Sequence, residues 1–181
     1  MNISQWITRW SNFAPNKTAI RFEGKDLSYA DFEARNLQIA SVLCNDLGVQ
    51  RGDRIAFLGF NSPEMLGLLF ACARLGAILV PLNWRLASLE HLFILKHSGA
   101  KVLFCEEEFT DGINSVASEM QGCRVVEMGA EYETLLSASR ENFSNSYAHA
   151  DDPILIVYTS GTTGTPKGAV LTQNALIFNA I

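Results

Sequence analysis

Ile154-Leu155-Ile156-Val157-Tyr158-Thr159-Ser160-Gly161-Thr162-Thr163-Gly164-Thr165-Pro166-Lys167-Gly168 joins an apolar run to a polar one rich in glycine and hydroxyl side chains. The apolar part reads as a buried strand that opens into a loop, and Gly168-Ala169-Val170-Leu171 reads as a second strand leaving it. Such a loop can hold a polyphosphate without a helix dipole beneath it. Glycines let backbone N–H groups close on an anion as a concave nest. The Ser and Thr hydroxyls add adaptable donors, and Lys167 adds a point charge.

The spacing excludes two common phosphate motifs. A Walker loop needs Gly-x-x-x-x-Gly-Lys-Ser/Thr at the start of a helix, whereas Pro166 precedes Lys167 and Gly168 follows it. A kinase of the P-loop type is therefore disfavoured. The fingerprint Gly-x-Gly-x-x-Gly fails too, because Gly161 and Gly164 are three apart and the residues after Gly168 are strand-like.

Upstream of the loop, strand-like and helix-like segments alternate. Ile3, Trp6, Trp10 and Phe13 recur at helical spacing up to Pro15. A hairpin is expected from strands over 18–22 and 27–29, and Ser28 with Asp31 then makes a capping-box-like start for a helix that Gly48 stops. Strands are predicted over 55–59, 78–81, 102–105 and 125–128. Between them lie helices over 62–75, with Ser62 as cap and Pro63 at the first position, and over 88–97, 106–120 and 132–139. Near-continuous apolar strands separated by helices predict an α/β domain with a doubly wound, mostly parallel sheet and helices on both faces. Ligands on such sheets bind at the carboxyl ends of the strands, where the loop after Val157 would lie. Residues 140–152 read as an exposed polar connector. The expected division is an α/β subdomain over 1–150, then a segment over 151–181 that holds the phosphate loop and opens a following subdomain.

Composition narrows the function classes. With a formal net charge of −5 and no basic cluster, the chain is poorly suited to the counterion release that drives non-specific nucleic-acid binding. The stretch 65–82 is apolar apart from Arg74 and reads as a buried helix and strand rather than a membrane span. The N-terminus has neither a basic region nor an apolar core of the secretory type, so a cytoplasmic location is expected. Cys44, Cys72, Cys105 and Cys123 stand singly among apolar neighbours and read as reduced core cysteines. His91, His97 and His149 are scattered, and no metal-ligand spacing is present.

The run 158–168, with Ala169-Val170-Leu171-Thr172 and Asn174 after it, closely resembles the phosphate-binding signature of the adenylate-forming superfamily. That superfamily comprises acyl-CoA and aryl-CoA synthetases, luciferases and nonribosomal peptide adenylation domains. Arg51-Gly52-Asp53-Arg54, Asn61-Ser62-Pro63-Glu64, Leu75-Gly76-Ala77 and Pro81-Leu82-Asn83-Trp84-Arg85-Leu86 also look like the N-terminal half of an acyl-CoA synthetase, in matching order. Asn83 and Arg85 remain open between a polar turn that caps the next helix and a direct ligand role.

The resemblance implies a two-step ligase. A carboxylate attacks the α-phosphorus of ATP, giving acyl-AMP and pyrophosphate, and the thiol of coenzyme A then displaces AMP. It implies ATP, Mg2+ and coenzyme A as cofactors and a small-molecule carboxylate as substrate. Thr159, Ser160, Gly161, Thr162, Thr163, Gly164 and Lys167 would bind the phosphates, Lys167 stabilising charge on the departing pyrophosphate, while Thr165 and Pro166 set the loop backbone. The magnesium-holding Glu, the ribose-binding Asp and the terminal Lys of the family are not present, and the sequence stops at Ile181 within an apolar helical pattern. The expectation is an N-terminal fragment, inactive alone and prone to associate through uncovered apolar surface. A non-catalytic nucleotide-binding or interaction module is the alternative.

Overall fold

The computed structural model describes residues 2–139, 148–159 and 165–179. Helix α1 (Ser4–Phe13) leads into a hairpin of β1 (Thr18–Phe22) and β2 (Lys25–Ser28). Glu23 and Gly24 both adopt positive φ, 49° and 76°, as a tight hairpin turn with right-handed twist requires. The second strand ends earlier than the apolar pattern predicts, because Ser28 serves as the cap of α2 (Tyr29–Ser41): its Oγ accepts the Asp31 N–H at 3.1 Å. A π turn over Val42–Asp46 follows, and Gly48 then takes φ 61°.

The main body alternates β3 (Arg54–Leu58), α3 (Pro63–Leu75), β4 (Ile78–Leu82), α4 (Ser88–Ser98), β5 (Ala100–Glu106), a short α5 (Thr110–Asn114), β6 (Arg124–Met128) and α6 (Ala130–Ala138). After the connector come β7 (Pro153–Thr159), β8 (Lys167–Thr172) and α7 (Gln173–Asn179). The six-stranded sheet has the order β6-β5-β3-β4-β7-β8, parallel throughout except that β8 runs antiparallel to β7. The doubly wound, mostly parallel sheet with helices on both faces is therefore present. Residues 140–147 of the predicted connector lie outside the described residues.

Alternation along each strand distributes side chains to two cores. Ile55, Phe57, Leu79, Val102 and Phe104 face one layer, with Ile39, Leu43, Leu68, Cys72 and Leu136 from α2, the π turn, α3 and α6. Ala56, Leu58, Val80, Leu103 and Cys105 face the other, with Leu92, Ile94, Leu95 and Ile113 from α4 and α5. Ser62 caps α3 by accepting the Met65 N–H at 3.3 Å, and Gly76 ends it in the left-handed region at φ 74°.

The segment 106–120 departs from the single predicted helix. Glu106 still belongs to β5, and a 3-10 turn (Glu107–Phe109), α5 and a second 3-10 turn (Ala117–Glu119) follow. Gly112 weakens the helix, and the Ser115 hydroxyl bonds back to the Gly112 carbonyl at 2.7 Å. Burial of Ile113, Val116 and Met120 against the α4 layer then sets the path.

Arg74, the one charge in the apolar stretch, is only 6% exposed and donates to Glu33 at 2.7 Å and to Thr8 at 3.1 Å, binding α1, α2 and α3 together. Gln173, fully buried, accepts the Ile3 N–H at 2.9 Å and donates to the Ala73 carbonyl at 3.0 Å, so the start of α7 is held between α1 and α3. Among the described residues no helix is long and apolar enough to cross a membrane. Glu33→Ala, which removes the carboxylate paired with the buried Arg74 guanidinium, is expected to cost about 3–5 kcal/mol in denaturant unfolding, and the joint Glu33→Leu, Arg74→Met replacement distinctly less.

Candidate functional site

The stem of the predicted phosphate loop is a β-hairpin. Val157 faces Ala169, Tyr158 faces Gly168 and Thr159 faces Lys167 across the β7–β8 ladder. Thr159 and Lys167 thus form the last rung before the loop, both exposed. Ser160, Gly161, Thr162, Thr163 and Gly164 lie outside the described residues. Among the described residues Lys167 forms no ion pair, which leaves its ammonium available to an anion. Lys167 beside the Thr159 hydroxyl fits a phosphate group.

Gly168 is required by its neighbours. A Cβ placed there would lie 2.7 Å from Ile156 Cγ2 and 3.2 Å from the Tyr158 ring. The ring therefore lies across the hairpin, in the space that a side chain at 168 would fill. Burial raises the Tyr158 hydroxyl above the ordinary phenol range, so it stays protonated at neutral pH. It shares a hydrogen bond of 2.7 Å with His97 Nδ1, and the rings meet edge to face at 5.7 Å. No sequence spacing marks this pair, whose members are 61 residues apart.

The loops leaving β3, β4 and β5 carry a separate feature that spacing also misses. Phe60 packs edge to face on Trp84 at 5.2 Å and on Phe109 at 5.3 Å, with Trp84 and Phe109 at 6.5 Å. Phe60 and Trp84 remain 39% exposed, so the trio presents an apolar surface at the carboxyl ends of these strands. Glu106, from the end of β5, accepts the Phe60 N–H at 2.9 Å. Its carboxyl occupies the space beside Gly59, where a Cβ would come within 2.5 Å.

The structure gives Asn83 a turn role. Its Oδ1 accepts the Arg85 N–H at 3.1 Å, and its carbonyl meets His91 Nε2 at 2.9 Å. Arg85 lies over the Trp84 ring at 4.4 Å. Arg51-Gly52-Asp53-Arg54 is structural as well. Arg51 pairs with Asp152 at 2.5 Å, and Arg54 donates to the carbonyls of Ser98 and Gly99 at 2.6 and 2.8 Å.

Burial pushes the thiols of Cys72, Cys105 and Cys123 up to about 12, 11 and 11, which makes them poor nucleophiles at neutral pH. Among the described residues no cluster of His, Cys, Asp and Glu could hold a metal ion.

The chain matches the AMP-binding enzyme family over residues 7–181. It is 44% identical to an indoleacetate–CoA ligase of Aromatoleum aromaticum, covering 100% of this chain and 37% of that protein. It is 37% identical to a feruloyl-CoA synthase of an Amycolatopsis species, covering 99% of this chain and 35% of the relative. Among solved structures, a Mycobacterium tuberculosis fatty acyl CoA synthetase superposes with TM-score 0.88 at 30% identity, over 95% of this chain and 34% of that one.

The Tyr158–Gly168 contact is directly testable. Gly168→Ala should lower unfolding stability by about 1–3 kcal/mol, measured in denaturant, because the added methyl meets the branched Ile156 side chain as well as the ring.

Proposed function

The chain belongs to the AMP-binding enzyme family, and from that premise we propose that it is the N-terminal part of an ATP-dependent acyl- or aryl-CoA ligase. The observation that carries the reading is the last rung of the hairpin, where an exposed Lys167 without an ion pair among the described residues faces Thr159. The coverage of its relatives, 37% and 35% of their lengths, supports reading the chain as one portion of a longer enzyme. An aromatic acid is the favoured substrate class, since these two relatives are named for indoleacetate and ferulate.

Adenylation begins when the substrate carboxylate attacks the α-phosphorus of ATP and expels pyrophosphate. Negative charge grows on the departing β- and γ-phosphates. Lys167 balances that charge, and the Thr159 hydroxyl donates to a phosphate oxygen. Ser160, Gly161, Thr162, Thr163 and Gly164 complete the nest in this proposal through their N–H groups and hydroxyls. The thiol of coenzyme A then attacks the acyl carbon and releases AMP. Mg2+ would accompany ATP, held largely by the phosphates and water.

The same reading divides the chain at residue 150 into a scaffold and a segment that opens the next subdomain, with the sheet continuing across through the β4–β7 pair. It places the enzyme in the cytoplasm. The chain by itself binds phosphate without turnover and associates through apolar surface such as Val170, 59% exposed, and Phe178, 76% exposed.

In an enzyme carrying this chain as its N-terminal part, Lys167→Ala is expected to slow acid-dependent ATP–pyrophosphate exchange by about 10²–10³-fold. Unchanged exchange would remove Lys167 from the mechanism. ATP-dependent acyl-CoA formation by the 181-residue chain would refute the proposal that it is inactive alone.

A further inference from the structure

The hairpin that carries the last rung lies at the edge of the sheet, beside β4. β7 pairs with β4 at a single register position, Leu79 with Leu155, near the start of β7. From Ile156 onward its ladder partners are those of β8 alone. At the loop end of the hairpin, side-chain contacts add to this ladder in setting the direction in which Thr159 and Lys167 point.

Ile156 and Tyr158 pack on the α4 side of the sheet, against the core formed by Leu92, Ile94 and Leu95. At the end of α4, His97 stacks on Phe93 at 5.4 Å with an interplanar angle of 22°, which fixes its ring one helical turn from a core position. The last turn of α4 is anchored in turn, because Arg54 at the start of β3 donates to the Ser98 and Gly99 carbonyls. His97, exposed but stacked on Phe93, meets the Tyr158 hydroxyl through its Nδ1 at 2.7 Å. Tyr158 cannot rotate away toward β8 without meeting the Gly168 backbone, since its ring already fills the space above that residue. One hydrogen bond therefore connects a rigid helix end to the ring that lies one residue before Thr159 and directly opposite Gly168, the neighbour of Lys167.

We infer that His97 is a positioning residue for the phosphate site, holding the Thr159–Lys167 rung in its working direction through Tyr158. It does not touch the reacting atoms. The role rests on the proposed function, because it concerns where Lys167 is presented to a polyphosphate.

The test uses the 181-residue chain with His97→Ala, Tyr158→Phe, the double variant and His97→Gln, with amide hydrogen exchange and titration calorimetry of inorganic pyrophosphate as readouts. Tyr158→Phe keeps the ring and removes only the hydroxyl, so it does not depend on surviving a cavity. Each single variant should speed exchange at 157–159 and 167–169 by about three- to tenfold while leaving the β3 amides unchanged. The double variant should be no worse than either single one, and His97→Gln, which retains a side-chain hydrogen-bonding group, should recover part of the protection. Pyrophosphate affinity should fall by a similar factor in the single variants and recover in His97→Gln. Unchanged hairpin exchange overturns the tie, and loosened exchange with unchanged pyrophosphate affinity overturns the positioning role. If the wild-type chain binds no pyrophosphate, the phosphate-site reading fails and the positioning role with it, whereas the exchange data still decide whether the tie exists.

Discussion

A parallel sheet must be covered on both faces, and that single requirement organises this chain. β3, β4 and β5 are almost wholly buried, so they contribute no polar face to water and need a helix layer on either side. The α2, α3 and α6 layer covers one face and the α4 and α5 layer the other. Each parallel connection crosses over the sheet and brings a helix with it, which is why elements alternate from β3 to α6. The loops at the carboxyl ends are then left free of packing duties, and the Phe60, Trp84 and Phe109 trio gathers there.

The first helix layer also contains a charge, and its cost is contained by pairing. Arg74 enters the core from an otherwise apolar helix, and Glu33 on α2 meets it at 2.7 Å, with Thr8 of α1 on both groups. Such a pair adds little net stability over apolar residues of the same shape, yet losing one partner is severe. Its effect here is to join three helices that share no ladder. Gln173 acts similarly with neutral groups, linking the end of the described chain to Ile3 and Ala73.

The hairpin of β7 and β8 obeys a different rule. It forms the antiparallel edge of the sheet beside β4, and ring packing, a glycine and one hydrogen bond act on its loop end. The Thr159–Lys167 rung at this edge is less enclosed than one on a central strand, and the residues packed beside it, Tyr158 and His97, come from two different elements. Gly168 makes room for Ile156 and for the Tyr158 ring.

Nearly every element was legible in the order of residues, because its causes are local. Ser62-Pro63 starts a helix wherever it stands, Gly76 ends it, and apolar runs such as Ile78-Leu79-Val80 make strands. The segment 106–120 was the exception, since Gly112 and Ser115 outweighed its helical pattern only in the presence of the α4 layer. The pairing of Thr159 with Lys167 at the mouth of the loop follows from the two apolar strands that flank it in the sequence. What the tertiary structure alone decided is which distant residues meet. Strand order placed β7 beside β4 and under the end of α4, so that His97 came to Tyr158 and Gln173 to Ile3. A strand records its own burial in its sequence but not its neighbour, because backbone ladders are the same for every pair, and the choice is made by how the layers close around the whole sheet.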